Sequence, residues 1–308
     1  MMYKELKQFG AVKVNVSLAK YLTMKVGGIA QCIVIVEELD KLIDLLTYLE
    51  GTDIQPLLIG GGSNMILSDD EFEGVAIIVK VANCEIEGDR VIADAGCSTV
   101  EVARKSFAAG LTGFEWGVGV PGTIGGAVRG NAGAMGGDMS QSIEKVLVYQ
   151  DGETKELSGK DCAFAYRDSL FKHDSSIILR VWLQLQKTEA KDGMKKALEH
   201  IQYRNKTQPQ GYASSGCIFK NISIEGEKEG VPKEFIEKGI IPAGWLIEQV
   251  GLKGKQIGNA QISEKHGNFI VNVGGACAQD IFDLIDEAKE KVFEQFGFKL
   301  EEEIRIVR

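Results

Sequence analysis

The sequence predicts an α+β protein of more than one domain, and three observations carry that prediction. Short apolar runs of strand length alternate with helix-spaced leucines, but not in a regular strand–helix–strand repeat. Two dipeptides, Gly88-Asp89 and Asp151-Gly152, each lie between strand-like segments and read as hairpin turns. The stretch Val118–Gly137 holds eight glycines in twenty residues, interleaved with Val118, Val120, Ile124 and Val128. Linkers are rich in Ser, Pro or charge instead, so this run predicts an ordered, partly buried loop. A chain of 308 residues has ample core for two or three domains.

In chain order, Cys32–Val36 is a buried strand entered through Gly27-Gly28. Leu39, Leu42, Leu45, Leu46 and Leu49 fall at helical spacing across Glu38–Glu50, and Gly51 is a stop signal. The strand Ile54–Ile59 runs straight into Gly60-Gly61-Gly62-Ser63-Asn64, a second glycine turn. Val75–Val81, Cys84–Glu87 and Arg90–Ala95 follow as short strands. Ser98-x-x-Glu101 then reads as a capping box opening a helix that closes at Gly110. After the central loop come the hairpin Ile143–Gln150 with Glu153–Leu157 and the strand Ile177–Gln186. In that strand Leu179, Val181, Leu183 and Leu185 alternate with polar residues and Trp182. A charged helix at Lys191–Lys206 and the turn Thr207–Gly211 mark a boundary. Ala278–Phe296 is an amphipathic helix ended by Gly297. Phe298–Val307 reads as a last strand with Leu300, Ile304 and Ile306 on one face. The expected domains are 1–81, 82–206 and 207–308.

Composition excludes several classes. The hydrophobic share of 44% and charged share of 26% are those of a soluble globular protein. A net charge of −9 argues against a nucleic-acid or anionic-membrane partner. No apolar run reaches the roughly 18 residues of a membrane span, and the first residues start no secretory signal pattern. The six cysteines are scattered without a CxxC pair, which suits a cytoplasmic protein with free thiols and no metal site.

Glycine lets backbone amides come close to an anion such as a pyrophosphate. Two glycine turns in one chain match the two phosphates of a dinucleotide. A Rossmann fingerprint needs G-x-G-x-x-G opening a helix directly after the first strand, and neither turn does this. The nucleotide is therefore expected in another α+β arrangement.

Several stretches together resemble the bacterial UDP-N-acetylenolpyruvoylglucosamine reductases (MurB), in the family's order and over nearly the whole chain. They are Thr23–Ala30, Leu58–Ile66, Val118–Gly137, Tyr166–Phe171, Ser215–Asn221, Pro242–Gly258, Ser263–Asn272 and Leu300–Arg305. The compact carboxy-terminal third is similar to the family's shorter, second-type architecture. The resemblance implies an FAD-binding fold of the vanillyl-alcohol oxidase/p-cresol methylhydroxylase type, in two subdomains, plus a C-terminal α+β substrate domain. It implies non-covalent FAD, NADPH as co-substrate, and reduction of the enolpyruvyl ether of a UDP-amino sugar to UDP-N-acetylmuramate by a cytoplasmic monomer.

By the same resemblance Gly60, Gly61, Gly62, Ser63, Asn64, Val120, Pro121, Gly122, Thr123, Gly125, Gly126, Asn131 and Gly133 hold the flavin nucleotide. Tyr166, Lys220 and Asn221 contact substrate. Arg167 and Glu303 stabilise the enolate, and Cys217 supplies the proton. Read from the residues alone, Arg167 is a surface ion-pair residue, Glu303 a solvated strand charge and Cys217 an inert buried thiol. The family usually has serine in place of Cys217 and proline in place of Ile222, and Arg129-Gly130 is an uncommon pair there. A different FAD oxidase or dehydrogenase of the same superfamily would explain the glycine loops but not the carboxy-terminal stretches. A non-catalytic nucleotide-sugar-binding protein would not need Arg167, Cys217 and Glu303 together.

Overall fold

The computed structural model describes residues 2–308. The chain divides into two compact units. The first is built from the residues up to Val16, Ala30–Gly61 and Phe72–Arg204. The second is built from Ser17–Ile29, Gly62–Glu71 and Asn205–Arg308.

The first unit contains two main sheets. One has four strands in the order Ala11–Ser17, Ile29–Val36, Phe72–Val79, Leu57–Ile59, and its last three strands run parallel. Parallel strands need a crossover, and the helix Leu39–Glu50 supplies it between Ile29–Val36 and Leu57–Ile59. Its Leu42, Leu45, Leu46 and Leu49 pack on Cys32, Val34, Val36, Val75, Ile77 and Val79. These strands read as unbroken apolar runs because both their faces are covered.

The second sheet is antiparallel, in the order Glu153–Ser158, Ile143–Gln150, Ile177–Gln184, Arg90–Asp94, Cys84–Glu87. Asp151 and Gly152 both take positive φ (53° and 81°), as the expected hairpin turn requires. Val146, Val148, Val181 and Leu183 face a core shared with the helices Thr99–Ala108 and Ile124–Arg129, while Tyr149 and Leu179 face the core of the parallel sheet. Leu179 therefore lies on the face opposite Val181 and Leu183, against the alternation read from sequence. The cause is a bulge. Arg180 pairs with Leu147 and Ile178 with Val148, which leaves Leu179 as the extra residue. The strand also stops at Gln184, and Gln186-Lys187 pairs instead with Leu111-Thr112.

In the second unit the strands Ala213–Cys217, Phe269–Asn272, Ala260–Ile262 and Gln256–Ile257 form an antiparallel sheet. The helix Ala278–Phe296 buries Ile281, Leu284, Ile285, Ala288, Val292 and Phe296, and ends at Gly297 in the left-handed conformation (φ 72°). The final strand is shorter than the sequence suggests. Only Arg305–Val307 is strand, paired in parallel with Met65–Leu67. Among the described residues no helix is long and apolar enough to cross a membrane, and no cluster of three His, Cys, Asp or Glu is placed to hold a metal ion.

Candidate active site

In the first unit the two glycine turns meet at close quarters. A Cβ on Gly60 would stand 2.3 Å from Thr123 Oγ1, and one on Gly61 would stand 2.6 Å from Gly122 Cα. Side chains are excluded at both places; the meeting edge is backbone on backbone at Gly61 and Gly122, which stay partly exposed, and backbone on the Thr123 side chain at Gly60. That is the surface a pyrophosphate takes, and these residues fit an FAD. The loop is pinned from beneath. Thr99 N donates to Gly122 O at 3.2 Å, Ile124 N to Cys97 O at 2.9 Å, and Gly125 N to Ala95 O at 2.9 Å. Thr123 Oγ1 accepts from Gly126 N at 3.5 Å. The first amides of the short helix Ile124–Arg129 are thus already engaged within the protein. Gly125 serves packing, since a Cβ there would come 2.8 Å from that of Ala95.

Arg167 comes against the end of this loop from a separate turn. The turn Ala165–Asp168 closes with two backbone hydrogen bonds of 3.1 Å and places Arg167 at φ 54°, a costly conformation for a side-chain-bearing residue. Buried Asn131 holds the turn in place. Its Nδ2 donates to Ala165 O at 2.8 Å, and its Oδ1 accepts from Ser140 N at 3.0 Å. The Arg167 guanidinium donates to Gly133 O at 2.7 Å, and Lys172 Nζ donates to Arg167 O at 2.6 Å. Next to it, burial opposes ionisation of Asp168, but His173 and the Ser169 amide hold its carboxyl below the usual range. Exposed Tyr166 lies with its ring centroid 5.3 Å from the Arg167 guanidinium carbon. Asn131 and Gly133, expected from sequence to contact the flavin, are seen here seating Arg167.

In the second unit the stretch from Ser215 to Asn221 is fixed at almost every residue. Ser215 Oγ donates to Met65 O at 3.1 Å, and Gly216 takes φ 77° in a bulge that turns half-buried Cys217. Ile218 N donates to Asn268 O at 2.9 Å, and Glu303 N donates to Ile218 O at 2.8 Å. Phe219 bridges Glu302, and Lys220 N donates to Glu301 O at 2.9 Å. The ladder sets the Glu303 backbone beside the residue that follows Cys217. It is also why residues 298–304 leave the expected strand. Asn64 grips the same segment, its Nδ2 donating to Glu303 O at 3.1 Å while its carbonyl accepts Arg305 N at 2.9 Å. Lys220 Nζ lies 3.5 Å from Glu301 Oε2, and Asn221 Oδ1 accepts Ala243 N at the start of the helix Ala243–Gln249.

Two residues of this half went unread in the sequence as individuals. Asn268 holds the Phe219 peptide at both ends, and Asn272 Nδ2 donates to Met24 O at 3.0 Å. Both lie in Ser263–Asn272, a stretch that already stood out, yet nothing local distinguishes a clamping asparagine from a turn asparagine.

Together the fold and the paired glycine turns define a flavin-nucleotide-binding α+β protein with a separate C-terminal module. A family model described as an FAD binding domain matches residues 30–158, and one described as the UDP-N-acetylenolpyruvoylglucosamine reductase C-terminal domain matches 208–307. The reductase of that name from Bacillus subtilis (strain 168) is 36% identical over 98% of this chain and 95% of its own length. That from Caldicellulosiruptor bescii is 38% identical over 94% and 88%. The crystal structure of the Thermus caldophilus reductase (MurB) superposes with a TM-score of 0.79 at 30% identity, covering 97% of this chain and all of that one. The chain belongs to the UDP-N-acetylenolpyruvoylglucosamine reductase family. Its activity is the FAD-dependent, NADPH-driven reduction that serves peptidoglycan synthesis, and the expected α+β class with an FAD-binding domain is borne out.

Proposed function

We propose that Arg167, Glu303 and Cys217 carry the reduction of the enolpyruvyl ether of the UDP-amino sugar to the lactyl ether of UDP-N-acetylmuramate. FAD, when bound, supplies the hydride that NADPH delivered to it. Hydride addition at the β-carbon puts negative charge on the α-carbon and its carboxylate. Arg167 faces that charge with a permanent cation and a fork of donors, which stabilises the transition state more than the substrate. Glu303 stabilises the same enolate together with Arg167. The Cys217 thiol, more acidic than the family's usual serine, gives its proton to the α-carbon. Tyr166, Lys220 and Asn221 hold substrate.

The observation that supports this reading most is the ladder from Ile218 to Glu303, which sets the Glu303 backbone beside the residue that follows Cys217. In the same proposal Gly60–Asn64 and Val120–Gly126 take the FAD without a covalent bond. The segments 1–81, 82–206 and 207–308 divide flavin and substrate binding, and the chain works as a cytoplasmic monomer without nucleic-acid or membrane partners.

Single-turnover kinetics test the roles. Arg167→Lys, Glu303→Gln and Cys217→Ala should each accept hydride from NADPH at near the normal rate. Reoxidation by the enolpyruvyl substrate should slow by orders of magnitude, and Cys217→Ser should restore most of it. Normal reoxidation in any of the three removes that residue from the chemistry.

A further inference from the structure

Of the four free thiols in the first unit, none of which the reduction uses, Cys84 and Cys97 interact with each other. Cys84 opens the edge strand Cys84–Glu87 and pairs opposite Ala93 on Arg90–Asp94. The chain then folds back, with Asp94 N donating to Asn83 O and Gly96 N to Val81 O, both at 2.9 Å. The return brings Cys97 beneath the start of the Cys84 strand. Its Sγ donates to Asn83 O, the carbonyl just before Cys84, at 2.9 Å, and the Cys97 thiol interacts with that of Cys84. A thiol has one proton, so the Asn83 carbonyl and the Cys84 sulfur compete for it.

The two thiols are not equivalent. Cys84 is half-buried and Cys97 is 3% exposed, so a reagent in solution meets Cys84 first. The Cys97 hydrogen bond lowers the Cys84 thiol to about 7 against the pull of burial. Lys105 assists, and Asp94 and Glu101 oppose. The lowered thiol is the readier of the two to form a thiolate, the form that attacks. Cys97 is shifted strongly upward by its bond to Cys84, by burial and by the Cys84 charge.

We propose that Cys84 and Cys97 form a redox-active dithiol, with Cys84 attacking and Cys97 resolving, that a small-molecule disulfide such as oxidised glutathione closes. The Cys84 thiolate attacks one glutathione sulfur, the S–S bond breaks, and one glutathione leaves as thiolate. Once Cys84 is capped, its charge and its claim on the Cys97 proton are gone, so Cys97 ionises more readily. The Cys97 thiolate then attacks the Cys84 sulfur and expels the second glutathione. Two protein thiols are oxidised, one glutathione disulfide is reduced to two thiols, and the two protein protons end on the glutathiones.

Closure acts on the glycine loop because Cys97 sits directly under it. Cys97 O accepts Ile124 N at 2.9 Å, Ser98 bridges Thr123, and Thr99 N donates to Gly122 O at 3.2 Å. Drawing Cys97 Sγ off Asn83 O and onto Cys84 shifts that anchor and loosens FAD. This coupling rests on Val120–Gly126 being the flavin segment. The disulfide itself does not.

The test treats the FAD-loaded protein with oxidised glutathione, blocks remaining thiols with iodoacetamide and digests with trypsin without reduction. Cleavage after Lys80, Arg90 and Arg104 places Cys84 in peptide 81–90 and Cys97 in peptide 91–104. The expected result is a linked pair of these peptides that dithiothreitol separates and that Cys84→Ser lacks. Severalfold more FAD should pass a filter from oxidised wild type than from reduced, with no such difference in Cys84→Ser. Alkylated peptides without the link, or a stable glutathione on 81–90 alone, overturn the dithiol. A linked pair with unchanged FAD retention upholds the dithiol and overturns its coupling to the loop. Glutathione on Cys217 falls in another peptide and does not enter the reading.

Discussion

The side-chain amide of Asn268 brackets the peptide groups of Phe219, accepting from Phe219 N at 2.9 Å and donating to Phe219 O at 2.8 Å. Asn268 is 3% exposed, so no water replaces either bond if the amide is lost. Replacing it with leucine should cost about 2–4 kcal/mol, since two buried backbone groups are left unmatched. Because the bracketed residue lies two positions beyond Cys217, Asn268→Leu should also slow substrate-driven flavin reoxidation while leaving reduction by NADPH intact. Urea unfolding and stopped-flow absorbance check the two parts. Wild-type stability would show that the bracket is dispensable.

Gly61→Ala is expected to weaken FAD binding at little cost to the rest of the first unit. The new Cβ would lie 2.6 Å from Gly122 Cα, and backbone cannot step aside as a flexible side chain can. The two turns must part, at about 1–3 kcal/mol for overpacking. Flavin fluorescence titration of the apoprotein should show roughly tenfold or greater loss of affinity, with an unchanged circular-dichroism spectrum. Equal affinity would mean that the meeting edge does not carry the flavin.

Asn131→Ala should mislay Arg167 without removing it. Ser140 N and Ala165 O lose their buried partner, for about 2 kcal/mol, and the left-handed turn at Arg167 loses its support. Substrate-driven reoxidation is expected to fall toward the level of Arg167→Lys. A double variant that is no slower than Arg167→Lys alone would place both changes in one pathway; additive losses would separate them.

His266 gives stability a pH dependence. Burial, helped by Lys253, holds its imidazole below the ordinary 6.5. The unfolded chain therefore binds a proton near pH 6.5 that the folded chain refuses. Stability from this group is full above that pH and declines as pH falls through it toward the lower folded value. Thermal melts between about pH 7.5 and 5.5 should fall less steeply for His266→Gln than for wild type. Parallel slopes would remove His266 as their source.

The sequence by itself determined the elements whose signals are local. The helix Ala278–Phe296 with its Gly297 stop follows from spacing over a few turns, and the Asp151-Gly152 hairpin from a dipeptide that tolerates positive φ. It also determined the family, because the matching stretches run in order along the chain. Only tertiary structure decided what depends on distant backbone. The Leu179 bulge reverses a side chain that alternation had assigned to the other face. The segments Ser17–Ile29 and Gly62–Glu71 join the C-terminal unit across long stretches of sequence. Residues 298–304 abandon a strand pattern because Phe219 and Ile218 offer partners there. The asparagine clamps belong to the same group. Asn131 reaches 34 residues to Ala165, Asn268 reaches 49 to Phe219, and Asn272 reaches 248 to Met24. A side-chain amide carries both a donor and an acceptor wherever it stands, and only the folded chain brings it the carbonyl or N–H that fixes its role.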